Sequence, residues 1–223
     1  MKFRHEWKHE INYSDFLILQ MRLSAVMQRD KHAKNGKYQI RSVYFDTPSD
    51  KALREKIDGV NKREKFRIRF YNGDTSLIHL EKKSKINGLC SKQSCKITED
   101  EARRISIGDT DWMRGCDRAL IRELYSKMKT ELLKPRTIVD YTRIPFVYGP
   151  GNVRATIDCN IRTGDFRTDF LNPETITVPA GDSPIIFEVK WDEYLPDIIR
   201  DAVSLPNRRA SAFSKYAQCR IYG

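Results

Sequence analysis

The alternation of apolar and polar residues is clearest between Glu64 and Tyr71. In an extended strand Phe66, Ile68 and Phe70 line one face there, and Lys65, Arg67 and Arg69 the other. The next run, Leu77 to Lys85, carries Glu81, Lys83 and Lys85 together. Further along, Arg154 shares a face with Asp158, and Glu188 with Lys190. Each of these strands offers a polar face rich in Lys and Arg with few carboxylates. Such faces look either at solvent or at one another.

The same reading extends along the chain. A first strand is expected from Phe3 to Asn12, with Arg4, Glu6, Lys8 and Glu10 on one face. Ser14 is a plausible cap for a helix in which Phe16, Leu19, Leu23, Val26 and Met27 recur at helical spacing. After the Asn35-Gly36 turn, Tyr38 to Asp46 reads as a strand, followed by a short helix ending near Lys56. Strands three, four and five are expected at 62–71, 76–85 and 90–97, joined by hairpins at Asn72-Gly73 and Asn87-Gly88. Thr98 and Glu101 fit a capping box, and a second amphipathic helix over 116–130 is expected to stop at Pro135. Strands six and seven are expected at 136–147 and 153–161, and an eighth from Pro184 to Trp191. Residues 162–182 read as a long loop with at most one short strand, and helices close the chain at Pro196–Val203 and from Ser211 to about Arg220.

Eight antiparallel strands interleaved with helices make an α+β protein, built as a sandwich or a closed barrel. No repeat or linker divides residues 1–223, which read as a single domain. Charge then narrows the choice. Lys and Arg number 41 against 30 Asp and Glu, a net +11, which favours an anionic partner such as nucleic acid, a membrane surface or polyphosphate. Like charges directly opposite across strands repel, so a face bearing cations on strand after strand is costly unless an anion occupies it. Five cysteines without a Cys-x-x-Cys pair suit reduced thiols, and no apolar run is long enough for a leader or a spanning helix, so a cytoplasmic location is expected. The four histidines lack zinc-ligand spacing with any cysteine, and no Gly-rich phosphate loop is present.

The ordered segments Arg4-His5-Glu6-Trp7-Lys8, Ser42-Val43-Tyr44-Phe45-Asp46, Arg67-Ile68-Arg69, Glu81-Lys82-Lys83, Tyr141-Thr142-Arg143, Phe187-Glu188-Val189-Lys190 and Phe213-Ser214-Lys215-Tyr216 resemble the VTC (vacuolar transporter chaperone) catalytic domain family. That family belongs to the triphosphate tunnel metalloenzymes. The resemblance implies an eight-stranded antiparallel β-barrel, a tunnel with a basic lumen covered by several helices. It implies that Arg67, Arg69, Lys83, Arg143 and Arg154 act on the transferring phosphoryl group. Lys8, Lys92, Lys190 and Lys215 join them in binding phosphate, with Lys96 as the other register for the fifth-strand lysine. Glu188, with Glu6 as a second ligand, would hold Mn²⁺ or Mg²⁺. Asp46, at a strand end, is expected to be structural.

The activity implied is polyphosphate polymerase: the terminal phosphoryl group of ATP passes to a growing inorganic polyphosphate chain. Two alternatives stand beside it, a metal-dependent inorganic or nucleoside triphosphatase and a non-catalytic polyphosphate-binding module. Nucleic acid is not an expected partner. Fungal relatives sit on membrane-embedded chains, so export here would need a membrane partner supplied in trans. Related hydrolases open with Glu-x-Glu-x-Lys, where this chain has Arg4, Glu6 and Lys8. One carboxylate is thus exchanged for a cation, which is expected to favour anion binding and polymerase chemistry.

Overall fold

The computed structural model describes residues 4–87, 89–182, 184–206, 208, 210 and 212–222. Phe3, Gly88 and Ser211, used above to bound a strand, a turn and a helix, lie outside the described residues. In chain order the strands are β1 (His5–Ile11), β2 (Gln28–Arg29), β3 (Tyr38–Asp46), β4 (Lys62–Tyr71), β5 (Asp74–Ile86) and β6 (Leu89–Ile97). They continue as β7 (Lys134–Tyr148), β8 (Val153–Gly164), β9 (Val178–Pro179) and β10 (Ile185–Trp191). The helices are α1 (Tyr13–Val26), α2 (Lys51–Ile57), α3 (Glu99–Ile107), α4 (Ala119–Thr130), α5 (Asp197–Val203) and α6 (Lys215–Tyr222).

Eight long strands pair in the order β1-β10-β8-β7-β3-β4-β5-β6, all antiparallel, with β2 and β9 as short additions. The sheet curls until its ends meet: Arg4, just before β1, bridges Cys90 of β6. The tightest corner is the β4–β5 hairpin, where Asn72 and Gly73 have φ of 54° and 70° between paired Tyr71 and Asp74. Two consecutive left-handed residues make the turn whose twist matches the strands, and Asn-Gly is the pair that tolerates it.

Period-two alternation decides what lies inside. Phe66, Ile68 and Phe70 point outward, and with Ile78, Leu80 and Ile97 they pack beneath Ala102 and Ile105 of α3 and Leu120, Ile121 and Leu124 of α4. On the other flank Ile157, Phe187 and Val189 pack beneath Leu19 and Leu23 of α1 and Ile199 of α5. Each such fully buried side chain stabilises the fold by roughly 1.5–3 kcal/mol. The opposite, polar faces turn inward, so the cation-bearing faces look at one another across a lumen. A third cluster sits on that concave side, where Tyr216 and Cys219 of α6 meet Tyr44, Val139 and Tyr141.

Several expected boundaries move for local reasons. Helix α1 is capped by Asn12, not Ser14: Asn12 Oδ1 accepts the Asp15 amide at 2.8 Å while Asp15 accepts the Asn12 amide at 3.2 Å. Helix α4 begins at Ala119 and ends at Thr130, short of Pro135. Pro135 instead lies within β7 opposite Phe45, at a register shift where a missing amide donor is tolerated. Strand β5 starts earlier and β8 runs longer than their alternation indicates, and the last helix starts at Lys215. Asp46 is structural, as expected: it accepts the amides of Thr47, Ala52 and Leu53 and the Tyr216 hydroxyl.

Candidate active site

The lumen face of β4 carries Lys65, Arg67 and Arg69, held from three directions. Arg69 is 4% exposed, and its Nε donates to Ser42 Oγ at 2.9 Å and its Nη2 to the Tyr141 hydroxyl at 3.0 Å. Arg67 donates to the Tyr44 hydroxyl at 2.7 Å and to Glu81 Oε2 at 2.7 Å. Glu81, 3% exposed, also receives Lys92 at 2.8 Å and lies 3.9 Å from Arg69. Burial alone would raise the Glu81 carboxyl, but Arg67, Arg69 and Lys92 hold it far below the usual range. It therefore stays ionised and orients the cations around it.

The ladder brings lysines into one row. Lys65 is directly opposite Lys83, and Lys83 directly opposite Lys92. Lys65 reaches Ser214 Oγ at 3.2 Å and lies over the rings of Tyr44 and Tyr216 at 5.8 and 5.7 Å. Burial pushes the Lys65 ammonium down to about 8, with Lys83 and Arg67 acting in the same direction against the Tyr44 phenol. Burial would raise the Tyr44 phenol, yet Arg67, Arg69 and Lys65 draw it down to about 7. Burial and the neighbouring Lys8 likewise lower Lys83.

Across the lumen, β1 and β10 set Glu6 opposite Lys190 and Lys8 opposite Glu188. Lys8 contacts Glu6 Oε1 and stands 3.9 Å from Glu188 Oε2. Lys190 contacts Glu188 Oε1 and stands 3.4 Å from Glu6 Oε2, to which Lys83 adds a contact of 3.5 Å. Burial would raise both carboxyls, and Glu188 would also raise Glu6, but Lys8, Lys83 and Lys190 lower both and Arg143 lowers Glu188; Glu188 ends well below its ordinary value and Glu6 below its own. The third group is Asp158, which is fully buried. It accepts Arg143 Nε and Nη2 at 2.6 and 2.7 Å and Lys215 of α6 at 2.6 Å. Arg143 and Lys215 also lie over the Tyr141 ring, at 5.4 and 4.7 Å.

The structure thus brings together Lys8, Arg67, Arg69, Lys83, Lys92, Arg143, Lys190 and Lys215 with Glu6 and Glu188. Of the two fifth-strand registers, Lys92 engages Glu81, whereas Lys96 lies farther along the strand opposite His79. Arg154 shares the lumen face directly opposite Lys190, where it is ion-paired with Asp30 at 3.0 Å and 40% exposed. Arg4 does not add a free cation: its Nε donates to Asp192 at 2.8 Å and it also reaches the Asn152 carbonyl. The charge gained at that position is compensated locally, against the expectation above. Lys65 and Asp158 lie outside the segments that carry the resemblance, and Tyr44 and Glu81 lie within them without an expected role; all four are neighbours of the cluster. The alternation that marked Arg67 marks Lys65 as well, and Asp158 stands on the face named for Arg154.

Among the described residues no three His, Cys, Asp or Glu side chains converge as a self-sufficient metal cage. Glu6 and Glu188 still fit a hard divalent ion, which ordinarily takes one or two carboxylates and completes its shell with water and substrate phosphates. No helix among the described residues is long and apolar enough to cross a membrane.

Solved structures resemble this chain at low identity. A Bacillus halodurans protein described as a putative adenylate cyclase superposes with a TM-score of 0.52 at 13% identity, covering 85% of this chain and 80% of that one. The PH1819 protein of Pyrococcus horikoshii OT3 gives 0.45 at 17% identity, covering 90% and 84%. No curated protein matches the sequence. The VTC domain matches residues 3–222, nearly the whole chain, and the curled antiparallel sheet with its inward polar faces is the tunnel architecture that family implies; the chain belongs to the VTC domain family.

Proposed function

We propose that this chain is a polyphosphate polymerase that transfers the terminal phosphoryl group of ATP to a growing inorganic polyphosphate chain. The observation that carries this reading is the row Lys65, Lys83 and Lys92, directly opposite one another across β4, β5 and β6, flanked by Arg67 and Arg69. Two like charges at ~4 Å repel by about 4 kcal/mol at an effective dielectric of 20, a cost that a bound polyanion converts into affinity. Phosphoryl transfer asks the protein chiefly for positioning and for neutralisation of charge on phosphoryl oxygens. Arg67, Arg69 and Arg143 supply planar forks for those oxygens, and Lys83 and Lys92 supply point charges. A terminal oxygen of the acceptor chain attacks the γ-phosphorus of ATP, and the bond to the oxygen bridging β and γ breaks. ADP leaves with the electron pair, its charge met by the clamp. Glu188, with Glu6 as the second protein ligand, would hold a divalent ion, which would supply further neutralisation of phosphate charge.

A second reading, a triphosphatase, is favoured by one specific feature. Lys65 is drawn toward its neutral amine and Tyr44 toward its phenolate, so Lys65 Nζ is a proton acceptor for an attacking water near physiological pH. The deciding assay is purified protein with ATP and Mn²⁺, the product sized by gel. Chains longer than the substrate are expected. Free phosphate alone would replace the polymerase with the triphosphatase. Binding of polyphosphate without either product would leave a non-catalytic module.

A further inference from the structure

The β1–β10 wall is a closed checkerboard. Because Glu6 is opposite Lys190 and Lys8 opposite Glu188, each lysine has one carboxylate across the ladder and another beside it on its own strand. All four carboxylate oxygens face an ammonium: Lys8 stands at Glu6 Oε1 and Glu188 Oε2, and Lys190 at Glu6 Oε2 and Glu188 Oε1. Lys83 adds a third ammonium at Glu6 Oε2. The side chains of Glu188 and Glu6 are only 6% and 15% exposed, so water does little to screen these contacts.

We propose that Lys8 and Lys190 are resident counter-ions of the metal-binding carboxylates, and that the site accepts a divalent ion only when a triphosphate draws these lysines away. The inference rests on the metal role of Glu6 and Glu188 proposed above. Charge makes the order necessary. Two carboxylates surrounded by three lysines carry a net positive charge, which repels a divalent cation. The lysines can leave the oxygens only for another anion, because an unpaired buried ammonium costs several kcal/mol. Triphosphate oxygens in the lumen are such an anion. Lys8 and Lys190 turn to them, Glu6 and Glu188 are released, and the phosphates complete the ion's shell. Metal and triphosphate therefore bind with positive coupling, each tightening the other by the same factor. Without substrate the tunnel stays metal-poor.

The test is Mn²⁺ bound to the protein, read from the free-ion paramagnetic resonance signal relative to protein-free solutions of the same composition, with and without a non-hydrolysable triphosphate. Wild type is expected to bind Mn²⁺ weakly alone and at least about tenfold more tightly with triphosphate present, a modest return for contacts of this kind. Lys190→Met is expected to tighten Mn²⁺ binding without triphosphate by about tenfold and to shrink the coupling, because one counter-ion is gone while the carboxylates remain. Lys8→Met should act the same way, and it stands in if the first variant fails to fold. Equal Mn²⁺ affinity with and without triphosphate, unchanged in both variants, overturns the counter-ion role while leaving a metal site intact. Failure of Mn²⁺ to bind under any condition, or binding unaffected by Glu188→Gln, overturns the metal role itself.

Discussion

On the β4 wall Arg67 and Arg69 are held largely by hydroxyl groups, those of Tyr44, Ser42 and Tyr141, with Glu81 as their one carboxylate. On the β1–β10 wall Lys8 and Lys190 are held by Glu6 and Glu188, carboxylate against ammonium throughout. A hydroxyl that keeps its proton fixes a guanidinium without cancelling its charge, so until Tyr44 ionises the first wall is a rigid fork that attracts anions. The second wall is neutralised within itself and attracts an anion only by rearranging. The lumen therefore has a fixed clamp on one side and an exchangeable charge pattern on the other. Asp158 stands between them, fixing Arg143 and Lys215 together.

The largest expected effect lies on the clamp. Replacing both Arg67 and Arg69 by Ala removes charged hydrogen bonds worth about 1.5–3 kcal/mol each, so triphosphate affinity should fall by at least about a hundredfold in calorimetry. Equal affinity in wild type and the double variant would dissolve the distinction between the walls. Next comes Asp158→Asn. It leaves Arg143 and Lys215 short of a buried partner and is expected to destabilise the protein by about 3 kcal/mol in urea unfolding. Added triphosphate should recover part of that loss, because the anion replaces the missing charge; no recovery would mean that these cations do not face the ligand.

Smaller and more diagnostic is the pH dependence. Tyr44 and Lys65 lose protons near 7 and 8 in the folded protein, but only near 10 when unfolded. Between those values the unfolded chain binds more protons, so the free protein becomes more stable as pH rises from about 7 toward 10. Triphosphate affinity should move the other way, because the clamp loses positive charge over the same range. Thermal melts and calorimetry at a series of pH values check both signs, and Tyr44→Phe should remove the component starting near 7. The smallest effect belongs to Arg154→Ala. With Arg154 already paired to Asp30 and its side chain 40% exposed, triphosphate affinity should change by no more than about threefold, as for an ordinary exposed ion pair.

Much of this arrangement was legible in the sequence where alternation carried it. The strands holding Arg67, Glu81 and Glu188 followed from period two, and Asn72-Gly73 marked the hairpin that sets the register of β4 against β5. What alternation could not give was partnership. It showed Arg154 on the right face but not that Asp30, from the segment after β2, would take its charge. It showed Arg4 in place of a carboxylate but not Asp192 opposite it, because that pairing depends on how the curled sheet closes. Tyr44 and Ser42 escaped notice as clamp residues because a hydroxyl's role is set by what lies across the ladder. The end of α4 falls at Thr130 as expected, but Pro135 is not its stop: it breaks a helix locally, and here the strand register of β7 accommodates it.

Glu188→Gln tests most directly whether the two walls divide the work, one binding triphosphate and the other holding the metal for transfer. Triphosphate affinity and turnover of ATP under saturating Mn²⁺ would be measured on the same preparation, with Arg69→Ala as the comparison. The account predicts that Glu188→Gln leaves triphosphate affinity within about threefold of wild type, or tightens it, because one negative charge leaves a cationic lumen. Turnover should fall by at least about a hundredfold, the scale on which a preorganised electrostatic group contributes. Arg69→Ala should lose affinity and turnover together. Wild-type turnover in Glu188→Gln would contradict the account and move the metal role to Glu6 or Glu81.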